Sequence, residues 1–78
     1  MAIIMVTCKR KSFPIDVAKG EKGEIIFSDM LHDHKPLFFV MPGKECGKII
    51  AKQFEKRNWF VDPIIARVLA MVCAKLGG

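Results

Sequence analysis

The chain has 78 residues, of which 51% are apolar and 27% charged, and it carries a formal net charge of +5. That length leaves room for one domain with one modest core, and the apolar share excludes a disordered chain. The positive balance favours anionic partners, nucleic acid or acidic protein surfaces, without choosing between them.

Residues 2–8 are apolar and rich in β-branched side chains, which predicts a strand with both faces at least partly covered. Lys9, Arg10 and Lys11 interrupt that run and are expected to form a turn. In the next strand, 13–17, Phe13, Ile15 and Val17 share one face and Asp16 takes the other. Pro14 has no N–H to give a ladder, so this strand lies at an edge or turns Pro14 away from its neighbour. Gly20 and Gly23 mark residues 18–23 as a turn, and residues 24–28 read as the return strand. Asp29 either caps a single helical turn holding Met30 and Leu31 or opens a loop, and Pro36 biases Lys35 away from helix. Residues 37–41, apolar on both faces, read as a central strand.

Pro42 and Gly43 end that strand, and a helix follows from about residue 44 to 58. Cys46, Ile49, Ile50 and Phe54 fall on one narrow stripe at helical spacing, with Lys44, Lys48, Lys52 and Lys56 opposite. Trp59, Phe60 and Val61 turn the corner, and Trp59 and Phe60 are expected to plug the space between two helices rather than to stack on unpaired bases. The last helix covers 62–76. Asp62 suits its N-cap, Pro63 its first position and Gly77 its stop. Only Arg67 and Lys75 are polar within it. It falls short of the ~20 apolar residues that span a bilayer. A helix apolar almost all round is expected to be a core helix that the other elements cover.

The expected fold is therefore α+β, one domain over residues 1–78. A three- or four-stranded antiparallel sheet is followed by two C-terminal helices (ββββαα) in two layers. One difficulty comes with it: strands 2–8 and 37–41 are apolar on both faces, while two helices cover only one. Either loops wrap the second helix or another subunit covers the open side. The latter predicts a homodimer. Ala66, Ala70 and Ala74 recur every fourth position, where a partner backbone can approach closely, unless they pack on the sheet within the monomer.

Several patterns point towards chemistry and stop short of it. Gly43-Lys44-Glu45-Cys46-Gly47-Lys48-Ile49 follows a strand and opens a helix, as a phosphate-binding loop does. Three residues separate its glycines where the nucleotide-binding pattern has four, and Ile49 stands where a magnesium-binding hydroxyl belongs. His32 and His34 lie two apart, short of the three or four ligands a metal needs. Cys8, Cys46 and Cys73 are odd in number and lack CxxC spacing, so they read as buried thiols in a reducing compartment. Cys46 near a helix start, with His32 or His34 as base, would make a thiol nucleophile only if it were exposed. The apolar start 1–6 lacks the basic region of a signal peptide, which makes the cytoplasm the expected location.

The lysine series is the most informative surface feature. Like charges at i, i+4 oppose an isolated helix by about 0.2–0.5 kcal/mol per pair, so the arrangement is not there for helix stability. The expected function is a small non-catalytic binding or regulatory module, an inhibitor or adaptor. It would dock Lys9, Arg10, Lys11, Lys44, Lys48, Lys52 and Lys56 onto an acidic protein partner. The alternative is a nucleic-acid-binding protein that uses phosphate contacts from the 44–58 helix and the basic turns, Lys9-Arg10-Lys11 and the one holding Lys19 and Lys22. A small thiol enzyme comes a distant third. No cofactor, metal or membrane is expected.

Overall fold

The structure, a computed structural model, describes residues 2–77. Among them the order is β1 (Ala2–Cys8), β2 (Lys11–Lys19), β3 (Ile25–Asp29), β4 (Lys35–Val40), α1 (Cys46–Lys56) and α2 (Pro63–Gly77). The four strands pair antiparallel in chain order, and the two helices follow: the ββββαα arrangement read from the sequence. Lys11 proves to be the first residue of β2, so the first turn is Lys9-Arg10 alone. β2 is also longer than the expected 13–17, and β4 begins before Pro36.

Alternation along the strands builds the core. Ile4 of β1 faces Ile15 of β2, Val17 faces Phe27 of β3, and Phe27 faces Phe38 of β4. Ile4, Val6, Ile15, Ile25, Phe27 and Val40 are buried on this side, under Cys46, Ile50 and Phe54 of α1. Phe27 and Phe38 stack with ring centres 4.5 Å apart, and Phe54 sets its edge to them at 5.9 and 6.2 Å. Trp59 adds an edge contact to Phe13 at 5.5 Å. Aromatic pairs in such geometries contribute about 0.5–1.5 kcal/mol each beyond area burial, so this cluster welds α1 to the sheet.

β2 is an inner strand despite its proline. The Pro14 carbonyl accepts from Met30 N at 3.4 Å, on the β3 side, just beyond the last β2–β3 pair at Ile15 and Asp29. A residue's N–H and C=O point the same way in a strand. The missing donor therefore faces the end of the ladder and leaves the β1 pairing intact.

α1 ends at Lys56 through two backbone bonds: Asn58 N donates to Glu55 O at 3.0 Å and Trp59 N to Phe54 O at 2.9 Å. Asn58 takes the left-handed conformation, φ 58°, that this Schellman ending requires. Arg57 fastens the same end to β4. Its guanidinium donates to the carbonyl and side-chain oxygens of Gln53 and, at 3.5 Å, to Leu37 O, and lies 4.7 Å from the Phe38 ring centre.

α2 departs from expectation. Asp62 caps it as read, with Ile64 N donating to Oδ1 at 2.8 Å. Yet among its described side chains Cys73 alone is buried; Ile65, Leu69 and Ala70 are half-buried, and Ile64, Val68, Met71 and Val72 are exposed. The helix leans on α1 and stands off the sheet. A Cβ on Gly47 would come within 2.9 Å of the Ala70 Cβ, so only glycine admits this crossing. Between α2 and the sheet remains an apolar cleft of about 330 Å³, lined by Ile4, Val17, Phe27, Ile65 and Leu69 among others. The core-helix reading fails for that reason. Of the alanine series, Ala70 meets α1 in the same chain, Ala66 faces the groove beside it and Ala74 is exposed.

The cysteine reading is corrected too. Cys46 and Cys73 are joined as a disulfide between α1 and α2, with Cα atoms 6.2 Å apart, inside the usual range for such a bridge. Cys8 carries the free thiol and donates to Arg57 O at 3.8 Å. Two further side chains also depart from expectation. Ile49, read as part of the apolar stripe, is 43% exposed, and Phe60, read as half of the plug, is 71% exposed. Phe60 instead bonds its backbone to Thr7, N to O and O to N, at 2.7 Å each way.

The far face of the sheet is uncovered among the described residues. Ile3 and Met5 on β1 and Phe39 on β4 are each more than half exposed there. Asp16, beside Ile3 and Ser28, is buried on that face, and its Oδ1 has no hydrogen-bond partner among the described residues.

Candidate basic interface

The α1 sequence decides which side chains turn outward. Cys46, Ile50 and Phe54 repeat every fourth residue and dock on the sheet. Lys48 and Lys52 lie about 200° further round the helix, since each residue advances about 100°. Both are exposed, as are Lys44, which precedes the helix, and Lys56 at its end. The expected lysine ridge thus lies along the outer surface of α1, roughly 16 Å of helix at 1.5 Å per residue. Glu45 holds Lys48 in an exposed ion pair at 3.5 Å, which tempers the ridge at its N-terminal end.

Lys9 and Arg10 occupy a two-residue turn with φ 52° and 67°. Both central positions of such a turn are left-handed, a conformation that favours asparagine and glycine. Each of the two side chains here carries a strain of about 1 kcal/mol. The hairpin tip is exposed, and the contact from Cys8 Sγ to Arg57 O sets it at the C-terminal end of α1. The structure therefore brings Lys9, Arg10 and Lys11 to the Lys56 end of the ridge. Arg57, not singled out from the sequence, meets Cys8 through its backbone carbonyl, but its side-chain donors are committed to Gln53 and Leu37. Its aromatic neighbours two positions away and across β4 were the only signal, and they are legible only once the sheet is in place.

Apolar surface flanks the ridge. On one side lies exposed Ile49. On the other is a groove of about 370 Å³ between α1 and the first half of α2, lined by Gly47, Ala51, Phe54, Trp59 and Leu69 among others. Glu55 and Asn58 stand at its mouth as polar lining residues.

The remaining candidates do not assemble into sites. His32 Nδ1 lies 2.8 Å from Asp29 Oδ2, and Leu31 N donates to Asp29 Oδ1 at 2.8 Å. The Leu31 N–H, ahead of the His32 contact, holds the Asp29 carboxyl below its usual range. This is a loop tie: Asp29 closes the β3–β4 turn, in which Asp33 and His34 take positive φ, rather than capping a helical turn. No group of three or more His, Cys, Asp or Glu side chains is placed to hold a metal among the described residues. Cys46, the thiol weighed as a nucleophile, is 1% exposed and bound in the disulfide. Gly43 O accepts from Cys46 N at 3.3 Å, so the glycine segment closes on its own helix start. No helix among the described residues is long and apolar enough to cross a membrane. Comparison with known protein families, with curated proteins and with solved structures found no match.

Proposed function

We propose that the protein is a non-catalytic binding or regulatory module, a stoichiometric inhibitor or adaptor, that docks its lysine ridge onto an acidic protein partner and works as a homodimer. One observation carries the choice of a protein partner: apolar surface adjoins the ridge on both sides, Ile49 on one and the α1–α2 groove on the other. A phosphate backbone uses the lysines and leaves the groove empty. An acidic surface with apolar side chains at its centre uses both, as protein interfaces do. The nucleic-acid alternative draws on the hairpin tip, whose Lys9, Arg10 and Lys11 extend the ridge.

The two readings part on salt and on shape. Fluorescence anisotropy would be measured with a labelled acidic amphipathic peptide, random duplex DNA and single-stranded DNA, each at low and high salt. The expected result is binding of the peptide, weakened at least tenfold in Lys48→Glu/Lys52→Glu, with weaker binding of both DNA forms. Tighter DNA binding whose salt slope falls by about one per lysine removed would establish the alternative. Binding to none of the three probes would end the ridge reading.

A further inference from the structure

We infer that α2 is a dimer helix: its outward stripe of Ile64, Val68, Met71 and Lys75 pairs antiparallel with the same stripe of a second copy. This deepens the homodimer part of the functional reading and is independent of the lysine ridge. Cys73 marks the inward side of α2, with Leu69 and Ala70 flanking it. Directly opposite, at steps of four, three and four residues, stand Ile64, Val68, Met71 and Lys75, the spacing of a two-helix seam. Ile64 is 70% and Met71 57% exposed, and both face outward with no described element upon them, while Val68, 49% exposed, stands at the edge of the stripe, where it also lines the cleft towards the sheet.

Charge selects both the occupant and its direction. A parallel pair would set Lys75 against Lys75. An antiparallel pair, with Val68 opposite the partner's Met71, sets Lys75 over the partner's Ile64. Its ammonium then reaches the partner's Asp62, an exposed carboxylate otherwise engaged only in capping its own helix. Arg67 falls beside the partner's Ala74, where it meets no like charge. Opposed helix dipoles favour the same direction. The two-fold contact is self-complementary, each layer repeating across the axis. It also places a lysine at one seam position, a device that fixes register at some cost in affinity. With four layers the contact lies at the small end of specific interfaces, and a dissociation constant on the order of 10 μM is expected.

Sedimentation equilibrium from about 1 to 500 μM brackets that value. The wild-type chain is expected to pass from monomer to dimer across the range. Met71→Glu should leave a monomer throughout, with its helical circular dichroism unchanged because the side chain is exposed. Lys75→Glu, which faces the partner's Asp62, should weaken the dimer several-fold. Phe39→Glu, on the open sheet face, and Lys48→Glu/Lys52→Glu, on the ridge, should leave it intact, so failure of the ridge reading and of this one are separable. A wild-type monomer at the upper concentration overturns the inference. So does a dimer that survives Met71→Glu, or one that Phe39→Glu dissociates.

Discussion

The two helices of this protein reverse the order that apolar content suggests. α1 carries three lysines, yet it buries Cys46, Ile50 and Phe54 almost completely against the sheet. α2 has two charged residues in fifteen and, among its described side chains, buries Cys73 alone. The difference lies in segregation. α1 keeps its apolar residues on one stripe that matches the aromatic surface of β3 and β4. α2 spreads them round its circumference and meets only the flank of α1. Burial goes to the face that finds a complementary partner, and the surplus on α2 stays exposed.

The strongest way to break this comparison is to cut each helix's contacts at low protein concentration. Phe54→Ala should cost about 3–5 kcal/mol in urea unfolding, as an aromatic removed from a packed core does. Val72→Ala on α2, half exposed, should stay within about 0.5 kcal/mol. Equal losses would mean that α2 is packed as tightly as α1. Next comes the Cys46–Cys73 bridge, which spans 27 residues of chain. Reducing it should cost about 3.5 kcal/mol on the chain-entropy account. Amide exchange should then quicken along α2 while β2 and β3 stay protected. Without reductant, alkylation of the unfolded chain should label Cys8 alone; three labelled cysteines would refute the bridge. The smallest effect sharpens the contrast from the sheet side. Lys9→Asn with Arg10→Gly relieves the left-handed turn and should raise stability by about 1 kcal/mol. That corresponds to a rise in midpoint of about 4–8 °C in a domain of this size. The same change should weaken ligand binding if the hairpin tip belongs to the interface.

The order of elements was legible because each carries a local signature. β-branched runs, paired glycines and the four-residue step from Cys46 to Ile50 to Phe54 are properties of neighbours in the chain. The exposure of Lys44, Lys48, Lys52 and Lys56 followed from the same step. What escaped depends on residues far apart. Pro14 leaves open an edge strand or an inner one with the proline turned from its neighbour until Met30 is seen to bond its carbonyl. The burial of α2 hinged on how near Gly47 lets Ala70 come, and hydropathy reports what favours burial, not what is available to provide it. The Cys46–Cys73 pair has no spacing signature. The meeting of the hairpin tip with the end of α1 rests on the contacts of Cys8 with Arg57 and of Thr7 with Phe60, and no local pattern encodes them.

The paired bonds between Thr7 and Phe60 bear on how copies of this chain can meet. A β-sheet's outer strands present a template on which foreign strands can polymerise. Here the linker between the helices occupies part of that template on β1, and on β4 Pro36 interrupts the run of donors. Growth of fibrils by strand addition is therefore obstructed at both margins, and association is steered towards the faces of the molecule.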